Sequence, residues 1–223
     1  MKEVAAVVEH QEYKAFADSV KFSFSKGKRE LKAFDHRLQL IGSGRSAYVF
    51  KLPHANKAIK IFYSPFEHLA KLEAEIYDRL DGCSYFPKLF EVGTTYLVMD
   101  YIEGKTLFQC MLEGRRVHHR HIKEVDEAIA FARKKGLNPS DIHLHNLLLT
   151  KDGTMKVIDV ARFKQTKNCT QWRDLKQAFD RYYSRRLFPK KLPAFCLNAI
   201  SKIYKKREAQ HLKMRVNQGH RVE

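Results

Sequence analysis

The sequence has 223 residues, 44% of them hydrophobic, with 15 Phe and 10 Tyr; that is enough apolar material for a packed core and excludes an intrinsically disordered chain. Lys and Arg number 42 against 25 Asp and Glu, a net charge of +17, and a surplus of that size favours polyanions such as nucleotides, nucleic acid or an anionic membrane face. The cysteines Cys83, Cys110, Cys169 and Cys196 are scattered without a C-x-x-C pair, which excludes a zinc ribbon or dithiol motif and fits a reducing compartment. Residues 1–14 are too short and too polar a run for a signal peptide, and no stretch approaches the roughly 20 apolar residues that span a bilayer. A cytoplasmic protein is expected.

In chain order, residues 2–20 read as a helix with Val4, Val7, Val8 and Ala15 on one side. From Arg37 the pattern changes to short strand-like runs at 38–41, 47–52 and 57–63, punctuated by Gly42-Ser43-Gly44 and Pro53-His54-Ala55-Asn56. Ser64-Pro65 followed by Phe66, Leu69, Leu72, Ile76 and Leu80 predicts a helix opened by a cap and a proline and closed at Asp81-Gly82. Strands are expected at 88–92 and 96–101. Beyond Glu103-Gly104, a helix centred on Val125, Ala128, Ile129 and Ala132 ends in Lys134-Lys135-Gly136, a basic last turn with a glycine exit. Residues 147–150 and 155–158 flank Lys151-Asp152-Gly153 as a hairpin. After Phe163 the sequence reads as helical to its end, broken near Pro189 and Pro193.

Ile41-Gly42-Ser43-Gly44-Arg45-Ser46-Ala47-Tyr48-Val49 fits G-x-G-x-x-G-x-V except at Ala47. Glycines let backbone amides approach phosphates, and a strand–loop–strand setting suits a flap over a nucleotide; a dinucleotide fold would need a helix after the loop. In Lys57-Ala58-Ile59-Lys60-Ile61, Lys60 stands among apolar strand residues, where its charge needs an anionic partner. Glu73, one helical turn before Ile76 and Tyr77, can meet it. Glu75 competes for that role but lacks the same spacing to Ile76 and Leu80. Asp141 and Asn146 stand five residues apart in Ser140-Asp141-Ile142-His143-Leu144-His145-Asn146, and Asp159 lies thirteen beyond Asn146, at the end of a strand. Asn and Asp oxygens suit magnesium, and a carboxylate just before them can orient or deprotonate a hydroxyl. Any one of these residues could be a turn or cap; their order and spacing carry the argument. His118-His119-Arg120-His121 is read against metal binding, because adjacent helical positions point apart. Trp172 is read as a core anchor rather than a base-stacking platform.

With these residues in this order, the chain resembles the protein-kinase-like superfamily from Leu40 to about Phe163, and more loosely beyond. The resemblance implies an α+β, bilobal fold: a small antiparallel-sheet N-lobe with one main helix, and a reduced, mainly helical C-lobe. A single domain over 1–223 is expected, with an N-terminal extension 1–35, an N-lobe of about 36–103 and a C-lobe of about 104–223. It further implies an enzyme using ATP and Mg2+ to phosphorylate a hydroxyl. Gly42 and Gly44 would cover the phosphates, with Ile41, Val49 and Ala58 beside the nucleotide. Lys60 would hold the α- and β-phosphates and Glu73 would hold Lys60. Met99, Asp100, Tyr101 and Ile102 resemble the hinge that reads adenine through backbone groups. Asp141 would be the catalytic base, and Asn146 and Asp159 would hold magnesium.

The chain also departs from that pattern. Pro139-Ser140-Asp141 replaces the usual His-Arg-Asp, removing the receptor for a phosphorylated activation loop. His143 sits where protein kinases carry a phosphate-binding lysine, an Asp-x-His similar to phosphotransferases of the aminoglycoside and choline kinase type. Asp159-Val160-Ala161 replaces Asp-Phe-Gly. No Ala-Pro-Glu follows Phe163 and a helix is expected already near Trp172, so the peptide platform is reduced, as in the short bacterial serine/threonine kinases the chain resembles. A serine/threonine protein kinase is the leading expectation. A small-molecule or lipid-sugar kinase, or a pseudokinase binding module, is the alternative. The basic segment from Arg181 to the end, with Arg185, Arg186, Lys190, Lys191, Lys202, Lys205, Lys206, Arg207, Lys213, Arg215 and Arg221, is a solvated face or a docking surface for an acidic protein, RNA or ribosome.

Overall fold

The computed structural model describes residues 2–25 and 28–199. It is a mixed α/β structure with antiparallel sheets. Helix α1 (Lys2–Ser19) leads into a hairpin of β1 (Lys21–Ser25) and β2 (Lys28–Ala33). Tyr13, Phe16, Ala17 and Val20 are buried, whereas Ala15, expected on the apolar side, is exposed. The stripe runs at spacings of three and four from Tyr13, and a residue two places along points nearly opposite. The side chains of Val4, Val7 and Val8 lie outside the description. The β1–β2 hairpin is absent from the sequence expectation, although Phe22 and Phe24 alternate with polar residues in strand fashion.

A five-stranded sheet follows in the order β3 (Gln39–Ser43), β4 (Ala47–Lys51), β5 (Lys57–Phe62), β7 (Tyr96–Asp100), β6 (Leu89–Val92), antiparallel throughout. Alternation decides its two faces. Phe50, Ile59, Ile61, Tyr96 and Val98 join the α1 side chains in one hydrophobic cluster. Ala47, Phe62, Leu97 and Met99 join a second cluster with α2 (Leu69–Leu80). Period two therefore puts Lys60, between Ile59 and Ile61, on the α2 face. Helix α2 begins later than expected, because Ser64-Pro65 is spent in a turn closed by the Phe66 N–H donating to the Tyr63 carbonyl at 2.7 Å. Ile76 and Leu80 are fully buried on its inner face, each worth about 1.5–3 kcal/mol of transfer free energy.

The second half opens with β8 (Gly104–Thr106) and α3 (Leu107–Glu113), neither expected. Thr106 and Gln109 form a reciprocal capping box at the start of α3. Strand β8 lies so close to β9 (Leu147–Thr150) that a Cβ at Gly104 would come within 2.4 Å of Leu148 Cδ2. Helix α4 (His119–Lys134) ends before Gly136 at φ +73°, as the basic last turn and glycine predict. The His118–His121 run serves its N-terminus: the His118 N–H donates to Nδ1 of buried His121 at 3.1 Å. Strands β9 and β10 (Met155–Val157) form the expected hairpin, with Gly153 at φ +82°.

After Phe163 the chain is not continuously helical. Residues 164–170 are irregular, α5 (Gln171–Ala178) runs into a π-helical turn over Phe179–Tyr183, and irregular chain resumes before Pro193. Lys190 Nζ donates to the carbonyls of Tyr183 and Arg185, binding that irregular stretch to the turn. Trp172 is half-buried against the second cluster and donates Nε1–H to Asp126 Oδ1 at 2.7 Å. Lys202, Lys205, Lys206, Arg207, Lys213, Arg215 and Arg221 lie outside the described residues. Among the described residues, no helix is long and apolar enough to cross a membrane.

Candidate active site

Lys60 reaches from β5 to α2, where its Nζ donates to both carboxylate oxygens of Glu73 at 2.8 and 2.6 Å. Asp159 Oδ1 stands 3.9 Å from the same nitrogen. Glu73 is 1% exposed and the Lys60 side chain 13%, so the pair is nearly dry. Burial pulls the Lys60 ammonium down, but the carboxylates of Glu73 and Asp159 outweigh it and hold its pKa above the ordinary lysine value. Burial pushes the Glu73 carboxyl up, Lys60 pulls it back, and Asp159 adds to the rise. Glu75, the rival candidate, is exposed and pairs with Lys164 instead. One turn beyond Glu73, the buried Tyr77 hydroxyl has no hydrogen-bond partner among the described residues. Burial, with Glu73 and Asp159 nearby, holds it protonated far above the ordinary tyrosine range.

Asp141 takes φ +63°, a left-handed conformation that costs a non-glycine residue about 1 kcal/mol and persists only where its surroundings enforce it. Here they do. Asn146 Nδ2 donates to the Asp141 carbonyl at 3.0 Å, and the Asn146 N–H donates to the His143 carbonyl at 2.9 Å. The Ile158 N–H donates to the Asn146 carbonyl at 3.0 Å, which draws the neighbour of Asp159 alongside Asn146. Since the Asn146 amide nitrogen is committed to Asp141, its Oδ1 is the atom left as an acceptor for a cation or donor. His143 Nδ1 accepts the His145 N–H at 3.3 Å, so in the neutral ring the proton sits on Nε2, 3.8 Å from Asp141 Oδ1.

Four residues to which the motif reading gave no role surround Asp141. Arg162 Nε lies 3.5 Å and Arg45 Nη2 4.0 Å from Asp141 Oδ2. Buried Ser140 donates Oγ–H to the Asn138 carbonyl at 2.9 Å and accepts from Gln165. Asn138 Nδ2 donates to the carbonyls of Gln165 and Lys167 at 2.9 and 3.0 Å. The sequence signal for the arginines is charge within or beside the motifs and for Ser140 its place before Asp141; Asn138 has none, and the Gln165 and Lys167 partners are far along the chain.

Above the site, the β3–β4 turn carries Ile41, Gly42, Gly44 and Val49. The Gly44 N–H donates to the Ala47 carbonyl at 2.8 Å, and Tyr63 Oη donates to the Gly44 carbonyl at 3.1 Å. A Cβ at Gly42 would meet Val49 at an ordinary 3.5 Å. The fold itself thus tolerates a side chain at Gly42, in contrast to Gly104. Ala58 is buried directly opposite Met99 across β5 and β7. The Asp100 N–H donates to the Lys88 carbonyl and the Tyr101 N–H to the Asn56 carbonyl, both at 2.9 Å. These bonds fix Asp100 and Tyr101, and Ile102 follows directly. The donor set fits ATP with a hard cation: an ammonium for phosphate oxygens, and amide and carboxylate oxygens for the metal.

A strand lysine locked to a buried helix glutamate and near one acid, with a second acid tied to an amide, fits a kinase-type phosphotransferase. No protein-family model matches the chain. It is 46% identical over 179 residues to "Putative serine/threonine-protein kinase YrzF" of Bacillus subtilis (strain 168), covering 79% of this chain and 83% of that one. It is 28% identical over 148 residues to "Probable serine/threonine-protein kinase CA_C1728" of Clostridium acetobutylicum, covering 58% of this chain but 22% of that longer one. A match to "CBL-interacting serine/threonine-protein kinase 12" of Arabidopsis thaliana, 34% identical over 79 residues, covers 32% of this chain and 16% of that one. The chain belongs to the protein-kinase-like superfamily, beside the short bacterial kinases, and is a kinase.

Proposed function

We propose that this kinase transfers the γ-phosphate of ATP, with magnesium, to a serine or threonine hydroxyl of a protein, between an N-lobe of about 36–103 and a C-lobe of about 104–223 in one domain. The observation that carries the reading is the buried Lys60–Glu73 pair with Asp159 at 3.9 Å. The preference for a protein hydroxyl rests on the names of the relatives.

Lys60, kept in place by Glu73, binds the α- and β-phosphate oxygens. The backbone from Ile41 to Val49, bare at Gly42 and Gly44, covers the phosphates. Ala58 and Met99 bound the adenine pocket, and Asp100, Tyr101 and Ile102 offer backbone groups to the ring edge. Asn146 Oδ1 and the Asp159 carboxylate would hold magnesium, which would neutralise charge on the phosphates. Asp141 accepts the hydroxyl proton as that oxygen bonds to the γ-phosphorus and the bond to the β-phosphate oxygen breaks, leaving ADP. His143 Nε2–H, on the Oδ1 side, orients the Asp141 carboxylate for that transfer.

Calorimetric titration with a non-hydrolysable ATP analogue and magnesium, alongside phosphate-transfer assays, tests this. Lys60→Ala should weaken nucleotide binding by about tenfold or more, the worth of a charge-assisted contact. Asp141→Asn should bind nucleotide within about twofold of wild type but lose about 10²–10⁴ in transfer. Wild type that binds no nucleotide, or Asp141→Asn that transfers normally, would defeat the reading. Phosphate recovered in a metabolite or lipid fraction, and none in protein, would move the acceptor to the small-molecule class to which the Asp141-x-His143 pattern is similar.

A further inference from the structure

Asp141 has more positive charge around it than it can balance. Arg45, from the tip of the β3–β4 turn, and Arg162, just past Asp159, both approach its Oδ2, while Oδ1 faces His143. The other carboxylates of the site are taken, since Glu73 and Asp159 share Lys60. Two guanidinium groups thus stand against one carboxylate. Neither is tightly held: separations of 3.5 and 4.0 Å exceed hydrogen-bonding length, and the arginine side chains are 57% and 83% exposed. Exposed pairs of this kind are worth at most about 1 kcal/mol, so both side chains can turn to a better anion.

We propose that Arg45 and Arg162 form an acceptor-binding pair that selects hydroxyl residues flanked by carboxylate side chains, so that the substrate class is acidic peptide. This rests on the reading of Asp141 as the base. The acceptor hydroxyl must come to Asp141, whose Oδ2 both arginines approach, Arg45 from the β3–β4 turn and Arg162 from the segment after Asp159. A carboxylate one or two residues from that hydroxyl gives both arginines a closer anionic partner than the 3.5 and 4.0 Å contacts to Asp141. Arginine suits the task, because its planar fork takes a carboxylate through two parallel hydrogen bonds.

The full chain is assayed with magnesium and ATP on length-matched serine and threonine peptides whose neighbours are Asp/Glu, Ala or Lys. Acidic peptides should be preferred over neutral ones by roughly tenfold in kcat/KM, with Lys peptides poorest. Arg45→Ala and Arg162→Ala should each cut the acidic-to-neutral ratio by about two- to fivefold, the worth of one exposed ion pair, and Arg162→Glu should reverse the order. Arg→Lys should retain part of the ratio. Equal labelling of acidic and neutral peptides by wild type, labelling of neither, or an unchanged ratio in the double alanine variant overturns the proposal. The γ-phosphate is the rival ligand: a double variant that weakens ATP binding but not ADP binding, with the peptide ratio intact, assigns the arginines to the nucleotide and also overturns it. Nucleotide titration on the same preparation separates the two levels. Nucleotide bound with a flat peptide ratio defeats only the acceptor proposal, whereas no nucleotide bound defeats the kinase mechanism beneath it.

Discussion

The Lys60–Glu73 contact concentrates the main energetic risk of the site in two side chains. A buried ion pair returns little net stability over an apolar pair of the same volume, because desolvation consumes most of the Coulomb gain. Removing one partner is a different matter, since the other is left charged and dry. Glu73 is 1% exposed and, among the described residues, its only cation at hydrogen-bonding distance is Lys60. Lys60→Met should therefore destabilise the fold by about 3–5 kcal/mol in urea denaturation. Lys60→Met combined with Glu73→Leu should recover most of that loss while nucleotide binding stays weakened by about tenfold or more. If the double variant is as unstable as the single one, Glu73 is not stranded by loss of the lysine and the pair is not the dry contact its geometry implies. Function, rather than stability, then explains why a lysine stands between Ile59 and Ile61.

At the scale of elements, the loop around Asp141 and the segment after Phe163 hold each other through Asn138 and Ser140. Protein kinases that place arginine before the catalytic aspartate use it to capture a phosphorylated activation segment; here Ser140 is buried and engages Gln165, and Asn138 holds the carbonyls of Gln165 and Lys167. The segment is thus fixed by neutral hydrogen bonds that need no modification. Asn138→Ala removes two of them and should cost about 1–2 kcal/mol locally, seen as faster amide exchange over residues 164–168. Phosphatase treatment of the wild type should leave that exchange unchanged; slow exchange in Asn138→Ala would show that other contacts hold the segment. The contrast with Lys60, Glu73, Asp141, Asn146 and Asp159 explains what the sequence could disclose. Those five follow from local periodicity and from spacing along the chain, and the structure brings them together. Asn138, Ser140, Arg45 and Arg162 act on partners remote in sequence, with no period or turn to mark them. The same holds for elements. Strands β3 to β7 are bounded by Gly and Pro and are legible, whereas β8 is only three residues long and exists through its pairing with β9. Helix α2 begins beyond Ser64-Pro65 because a turn and a cap use the same residue types.

For the whole molecule, the question is whether α1 is an appendage or part of the cooperative unit that carries the site. Phe16 is 1% exposed and packs in a cluster with Phe50, Ile59, Ile61 and Val98, with the Arg37 guanidinium 4.6 Å from its ring centroid. Glu9 and Tyr13 hold Lys57 at the head of β5. The second cluster, which runs from α2 through α4, β9 and β10 to Phe163, draws on the same strands from their other face: Ala47 in β4, Phe62 in β5, Leu97 and Met99 in β7. A sheet whose alternate residues belong to two clusters cannot lose one face and keep the other in register, since the strands are common to both. Phe16→Ala should then destabilise the protein by about 3–5 kcal/mol as a single transition. Trp172, the only tryptophan, packs against the second cluster and reports on it by fluorescence, while far-ultraviolet circular dichroism reports on the whole chain. Both midpoints in urea should fall together in Phe16→Ala. A circular-dichroism midpoint that falls while the tryptophan midpoint stays at its wild-type value would separate α1 and its cluster from the unit that holds Lys60, and α1 would then be dispensable to the kinase site.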